Sequence, residues 1–181
     1  MGIATERSIP KLAKTTVFKW HQKNKNRLAR QPNKYGEIYL FVDEFTNYYD
    51  ANIGIDTIEL LTKLGYKVYI TKHGESGRGF ISKGFLDEAK EKANFNVNFF
   101  KDLITKETPL VGIEPSAILT FRDEYLRLAD DKTAAKNISE NTFTIEEFIK
   151  QEFEKNKITS QSFTTKNKTL KIHGHCQQKS L

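Results

Sequence analysis

Four short stretches of this sequence carry residue types able to do chemistry. His173-Gly174-His175-Cys176 gathers three metal-binding side chains within four positions, and imidazole nitrogen with thiolate sulfur suits zinc. In an extended segment His173 and His175 would share one face. Gly74-Glu75-Ser76-Gly77-Arg78-Gly79 is glycine-rich, and a run of backbone N–H groups there, with Arg78 beside it, can cradle a phosphate. It lacks both the dinucleotide fingerprint and the Lys-Ser/Thr of a P-loop. Asp43 and Glu114 are carboxylates that can meet at one edge of a sheet, and paired carboxylates perform acid–base work. Each feature also has a plainer reading. The histidines can be satisfied polar groups at a strand end, and the loop a turn that needs glycine dihedrals, with Arg78 paired to Glu114 or Asp43 across a crevice. No nucleophile and base accompany the carboxylates, so independent hydrolysis is not expected.

Elements that position these residues follow from the apolar pattern. Glu37 to Val42 is a near-continuous apolar run, as in a strand buried on both faces, and Asp43 ends it. Ile55, Ile58, Leu61 and Leu64 follow helical spacing up to Gly65, a C-terminal stop. Lys67 to Thr71 is the next strand. After the glycine loop, Leu86, Ala89, Ala93, Val97, Phe100 and Ile104 share one helical face. Pro109 to Ile113 makes a third strand. Pro115 opens a helix continuing through Ile118, Leu119, Arg122 and Tyr125, with Arg122, Asp123 and Glu124 as surface or interface pairs. A further helix spans Ile145 to Glu154, and a polar loop over residues 160–168 precedes a last strand, Thr169 to His173. Alternating strands and helices predict an α/β fold: a parallel sheet of about four strands with flanking helices in Rossmann-like layers. Ligands of such sheets bind beyond the carboxyl ends of the strands. Those ends are followed by Asp43 to Asn47, His73 to Arg78, Glu114 to Ala117, and Gly174 to Lys179.

Composition narrows the function classes. The 181 residues, 29% charged and 12% aromatic, are enough for one folded domain with a single core. No apolar run reaches the ~18 residues of a membrane span, and the start lacks a secretory signal. The single cysteine, Cys176, excludes an internal disulfide and suits a reducing compartment. These features predict a cytoplasmic protein, with a peripheral place at the inner membrane left open. Nine basic residues face only Glu6 before residue 36, although the whole chain is just +6. The expected division is a basic helical arm over 1–35 and an α/β domain over 36–181. Ile9, Leu12, Thr16 or Val17, and Trp20 give the arm one apolar side, to pack on the domain or on a partner. A basic arm can meet nucleic acid or an anionic membrane. Without the aromatic platform of an RNA-binding module, nucleic acid is not the expected partner.

Taken in order, the motifs resemble a known family. Arg7-Ser8-Ile9-Pro10, Asp43-Glu44-Phe45-Thr46-Asn47-Tyr48, Gly77-Arg78 with Ile81-Ser82-Lys83-Gly84, Glu114-Pro115-Ser116, Leu119 to Tyr125, and His173-Gly174-His175-Cys176 with Gln178-Lys179 are similar to the cysteine-rich iron–sulfur domain of FAD-linked oxidases of the D-lactate dehydrogenase and glycolate oxidase type. Related domains occur in heterodisulfide reductases and in anaerobic glycerol-3-phosphate dehydrogenase. Where the family usually carries two adjacent cysteines, this chain has Glu75-Ser76. Where a cysteine usually follows Glu-Pro-Ser, it has Ala117, and Gln177 replaces a usual histidine. Of the family's cluster positions only Cys176 keeps its thiol.

The resemblance implies an electron-transfer or docking module of an oxidoreductase acting on a 2-hydroxy acid such as D-lactate or glycolate. A [4Fe-4S] cluster and FAD are the family's cofactors; neither is expected on this chain. It implies a flavin domain or subunit as partner and a second half of the domain not contained in this sequence. Apolar surface or an open strand edge near Thr169 to Leu181 would then invite self-association. Asp43, Glu75, Ala117 and Cys176 are expected around one crevice. The alternative is a cluster-free structural or interaction domain that keeps the fold and uses the crevice or the arm for a partner.

Overall fold

The computed structural model describes residues 6–8 and 10–180; Ile9, one of the apolar positions assigned to the arm, and Leu181 lie outside them. The apolar run that ends at Asp43 forms β1 (Gly36–Phe41). With β2 (Tyr66–Tyr69), β3 (Leu110–Gly112) and β4 (Thr142–Thr144) it makes one sheet of order β2-β1-β3-β4. All pairings are parallel, with Ile38 opposite Val68, Leu40 opposite Val111, and Val111 opposite Phe143.

Both faces of β1 are buried, which is why it reads as continuously apolar. Ile38, Leu40 and Val42 enter one cluster with Val17, Ile58, Leu61, Tyr66, Phe148 and Ile158. Tyr66 comes from β2 and the others from α1 (Val17–Leu28), α3 (Ala51–Lys63), α9 (Ile145–Glu154) and the segment after it. Phe41, pointing the other way, enters a second cluster with Val97, Phe100, Ile118, Phe121 and Tyr125. That layer is built by α5 (Leu86–Phe100), α6 (Pro115–Ile118), α7 (Glu124–Leu128) and α8 (Lys132–Glu140). The remaining short helices are α2 (Glu44–Tyr48), α4 (Arg78–Lys83) and α10 (Cys176–Ser180).

The arm packs on the sheet layer. Thr16 caps α1 by accepting from the Lys19 N–H at 3.2 Å, and Val17 is fully buried. Gly54 of α3 permits this approach, because a Cβ there would lie 2.7 Å from Val17 Cγ2 and 2.9 Å from Thr46 Cγ2.

Three expectations need correction. The fourth strand is Thr142–Thr144, not Thr169–His173, which has no regular structure. Leu170 and Ile172 of that segment are 77% and 89% exposed, so no packing offsets the entropy of extending it. The helix opened by Pro115 does not run through Tyr125. It stops at Ile118, continues as a 3-10 turn over Leu119–Phe121 and restarts at Glu124. The break lets both Ile118 and Tyr125 reach the core. The long helical face ends at Phe100 rather than Ile104, and Leu86 at its start is exposed.

Candidate functional site

In the order β2-β1-β3-β4 the connections diverge between β1 and β3, the switch point at the strands' carboxyl ends, and a crevice lined by Glu44, Phe45, Glu75, Gly77 and Phe80 opens beside the loop after β2. At the switch point Asp43 follows β1 and Glu114 follows β3. Each is a helix cap. Asp43 Oδ1 accepts from the Phe45 and Thr46 N–H groups, both at 2.9 Å, and its Oδ2 from the Thr46 hydroxyl at 2.6 Å. Glu114 Oε2 accepts from the Ala117 N–H at 2.6 Å and the Ser116 hydroxyl at 2.7 Å. These bonds satisfy helix-start donors that have no partner of their own.

Asp43 is almost wholly buried. Burial pushes its carboxyl up to about 6, against the Thr46 bonds, and the charges of Glu114 and Glu44 push the same way. His73 sits beside it, stacked on Phe41 with ring centroids 4.2 Å apart. Its Nε2 accepts from the Val42 N–H at 3.1 Å, leaving the proton on Nδ1 to donate to the Gly74 carbonyl at 2.7 Å. Burial lowers its pKa to about 4. His73 is therefore a neutral imidazole that extends the sheet's hydrogen bonding past β1.

The glycine loop is gripped from three helices. Asn96 of α5 accepts from the Gly74 N–H at 2.9 Å and donates to the Glu75 carbonyl at 2.8 Å and the Tyr125 hydroxyl at 2.9 Å. Tyr125 of α7 donates to the Ser76 carbonyl at 2.9 Å. Glu44 of α2 accepts from the Ser76 hydroxyl at 2.6 Å and the Ser76 N–H at 2.9 Å. Gly77, at φ +74°, turns the chain into α4. The amides of Gly74, Ser76 and Arg78 are thus taken by side chains within the protein.

Arg78 is also spoken for. It pairs with Glu124 of α7, both largely buried, and not with Glu114 or Asp43. The break after Ile118 carries Glu124 to it.

Of the positions tied to a cluster by resemblance, Glu75 lies 3.5 Å from Lys92 and is half-exposed. Ser76 and Ala117 are completely buried, and Cys176 is exposed. α10, which begins at Cys176, packs against α6, and His175 Nε2 lies 3.9 Å from Glu114 Oε1. The C-terminal segment thus reaches Glu114 at the switch point although it arrives without a strand. Among the described residues no three His, Cys, Asp or Glu side chains are gathered to hold a metal ion, so His173, His175 and Cys176 do not form a trio. A [4Fe-4S] cluster needs soft anionic ligands. A serine hydroxyl already donating to a carboxylate, a buried methyl and a glutamate turned to lysine do not fit one.

Glu44, His73, Asn96 and Tyr125 are the site residues that residue-type reasoning passed over. Asn96 was open to discovery, since a polar residue on the stripe of Ala89, Ala93, Val97 and Phe100 must find partners inside.

The fold and crevice define a parallel α/β domain with its polar centre at the switch point. The sequence is similar to part of D-2-hydroxyglutarate dehydrogenases. It is 30% identical over 114 residues to that of Haemophilus influenzae, covering 63% of this chain and 11% of the relative. To that of Escherichia coli it is 33% identical over 91 residues, 50% of this chain and 9% of the relative. To that of Pantoea ananatis it is 25% identical over 142 residues, 78% of this chain and 13% of the relative. The chain thus spans about a tenth of the length of these relatives. No family model matches it, and no solved structure does. Among the described residues no helix is long and apolar enough to cross a membrane.

Proposed function

We propose that this chain is a docking segment of a flavin-linked oxidoreductase acting on a 2-hydroxy acid, of the kind oxidised by D-2-hydroxyglutarate dehydrogenases, and that it carries no [4Fe-4S] cluster of its own. The observation that carries the reading is a pairing: similarity to those enzymes, together with side chains at the family's cluster positions that are a serine hydroxyl bonded to Glu44, a buried alanine methyl and a glutamate beside Lys92. Electron transfer and flavin belong, in this proposal, to other parts of the assembly. The exposed Leu170 and Ile172 supply a surface for the partner polypeptide or, without it, for self-association.

Two measurements test it. Anaerobic reconstitution with iron and sulfide should leave no lasting brown chromophore after desalting, and fewer than about 0.1 iron per chain, because one thiolate cannot replace four. A stoichiometric cluster that disappears in Cys176→Ser would overturn the cluster-free part. Exchanging the matched tenth of the Haemophilus influenzae enzyme for this chain tests docking. The hybrid should remain a single soluble assembly that oxidises D-2-hydroxyglutarate with a dye acceptor. Loss of assembly with both parents well folded would sink the docking reading.

A further inference from the structure

The loop after β2 is joined to α2 by two bonds to one residue. Glu44 Oε1 lies 2.6 Å from Ser76 Oγ and its Oε2 lies 2.9 Å from Ser76 N. Ser76 in turn accepts from the Arg78 N–H at 3.1 Å, so its hydroxyl both gives and takes a hydrogen bond at full burial. A hydroxyl can do this because it carries a proton. A thiolate cannot, and a sulfur anion at this position would face a carboxylate oxygen with no donor between them.

We propose that Glu44 closes this crevice to a thiolate-bound metal cluster, by occupying the place where position 76 would present a ligand atom and by requiring a proton-bearing side chain there. The inference rests on the crevice reading of the proposed function. Glu44 cannot easily swing aside. It is the first residue of α2, fixed by the Asp43 cap, and turning away would strand the buried Ser76 N–H. Asn96 and Tyr125 hold the loop from the opposite side. The charged and titratable groups around Glu44 are Asp43 before α2, Glu114 before α6, His73 and Glu75 on the loop, Tyr125 on α7, and Arg78 with its partner Glu124. Asp43, His73 and Tyr125 each sense the Glu44 charge.

The test places one sulfur at position 76. In a Cys176→Ser background, Ser76→Cys is titrated by thiolate absorbance with Glu44 present and with Glu44→Gln. Removing the carboxylate should give about tenfold more thiolate at a given pH. Coincident titrations would overturn the proposal. Should Ser76→Cys fail to fold, the unfolding cycle of Glu44→Gln and Ser76→Ala serves instead: strongly non-additive losses support the lock, and additive ones refute it. An iron arm separates this inference from the reading beneath it. Glu75→Cys, Ser76→Cys and Ala117→Cys are combined with native Cys176, with and without Glu44→Gln, and reconstituted. Iron held only when Glu44→Gln has removed the charge supports the proposal; equal iron in both refutes it. Iron in neither refutes Glu44 as what closes the crevice, even with the thiol titration shifted, and leaves the cluster-free reading of the proposed function intact.

Discussion

Asn96→Ala should cost about 2 kcal/mol of folding free energy, measured by urea unfolding, because two part-buried backbone groups and the buried Tyr125 hydroxyl lose this partner at once. Asn96 is wholly buried and takes the Gly74 N–H while supplying the Glu75 carbonyl. Tyr125 would keep its bond to the Ser76 carbonyl but lose the one it receives from Asn96. The control lies two residues earlier. Asn94 bonds Asp130 at the surface, and Asn94→Ala should cost under about 1 kcal/mol. Equal losses for the two variants would mean that the loop is not held as described.

The second large effect concerns pH. Asp43 is buried and His73, half-buried, is bonded to the N–H of the preceding Val42; their titrations act in opposite directions. Asp43 takes up its proton more readily folded, at about 6, than unfolded at 3.8. Stability therefore falls as pH rises through that window, and the buried charge costs roughly 3 kcal/mol above it. His73 resists its proton when folded, at about 4 against 6.5. Its contribution is present above 6.5 and is lost as pH falls toward 4, again by roughly 3 kcal/mol. Between these limits the two contributions largely cancel. Asp43→Asn keeps the cap acceptor, and its amide can donate to the Thr46 hydroxyl. The variant should be more stable than the parent at about pH 8 by up to about 3 kcal/mol, with the gain vanishing near pH 4. Parallel stability profiles would show that Asp43 is not the buried titrating group.

Much of the fold was legible because β1 shows its burial directly: its even and odd positions serve two cores, and the whole run is apolar. β4 was not legible. Three residues, Thr142-Phe143-Thr144, wedged between α8 and α9, are too few for a period to show. Thr169 to His173 had the better pattern, but pattern forms a strand only where a neighbour strand and a core are in reach. At the site, residue type was readable and role was not. Asp43 and Glu114 stand before short helices as caps, and that assignment depends on where each helix begins. The partner of Arg78 depended on the break after Ile118, which no local preference announces.

The burial of Val17 carries a consequence for how the protein is made. Synthesis runs from the N-terminus, and the cluster that receives Val17 also contains Phe148 and Ile158. The arm is made well before Phe148 and Ile158, so its apolar side, with Phe18 and Trp20 partly packed on that same cluster, is not fully covered until they have followed. Until then Lys19, Lys23, Lys25 and Arg27 give that helix a charged side that favours water over association.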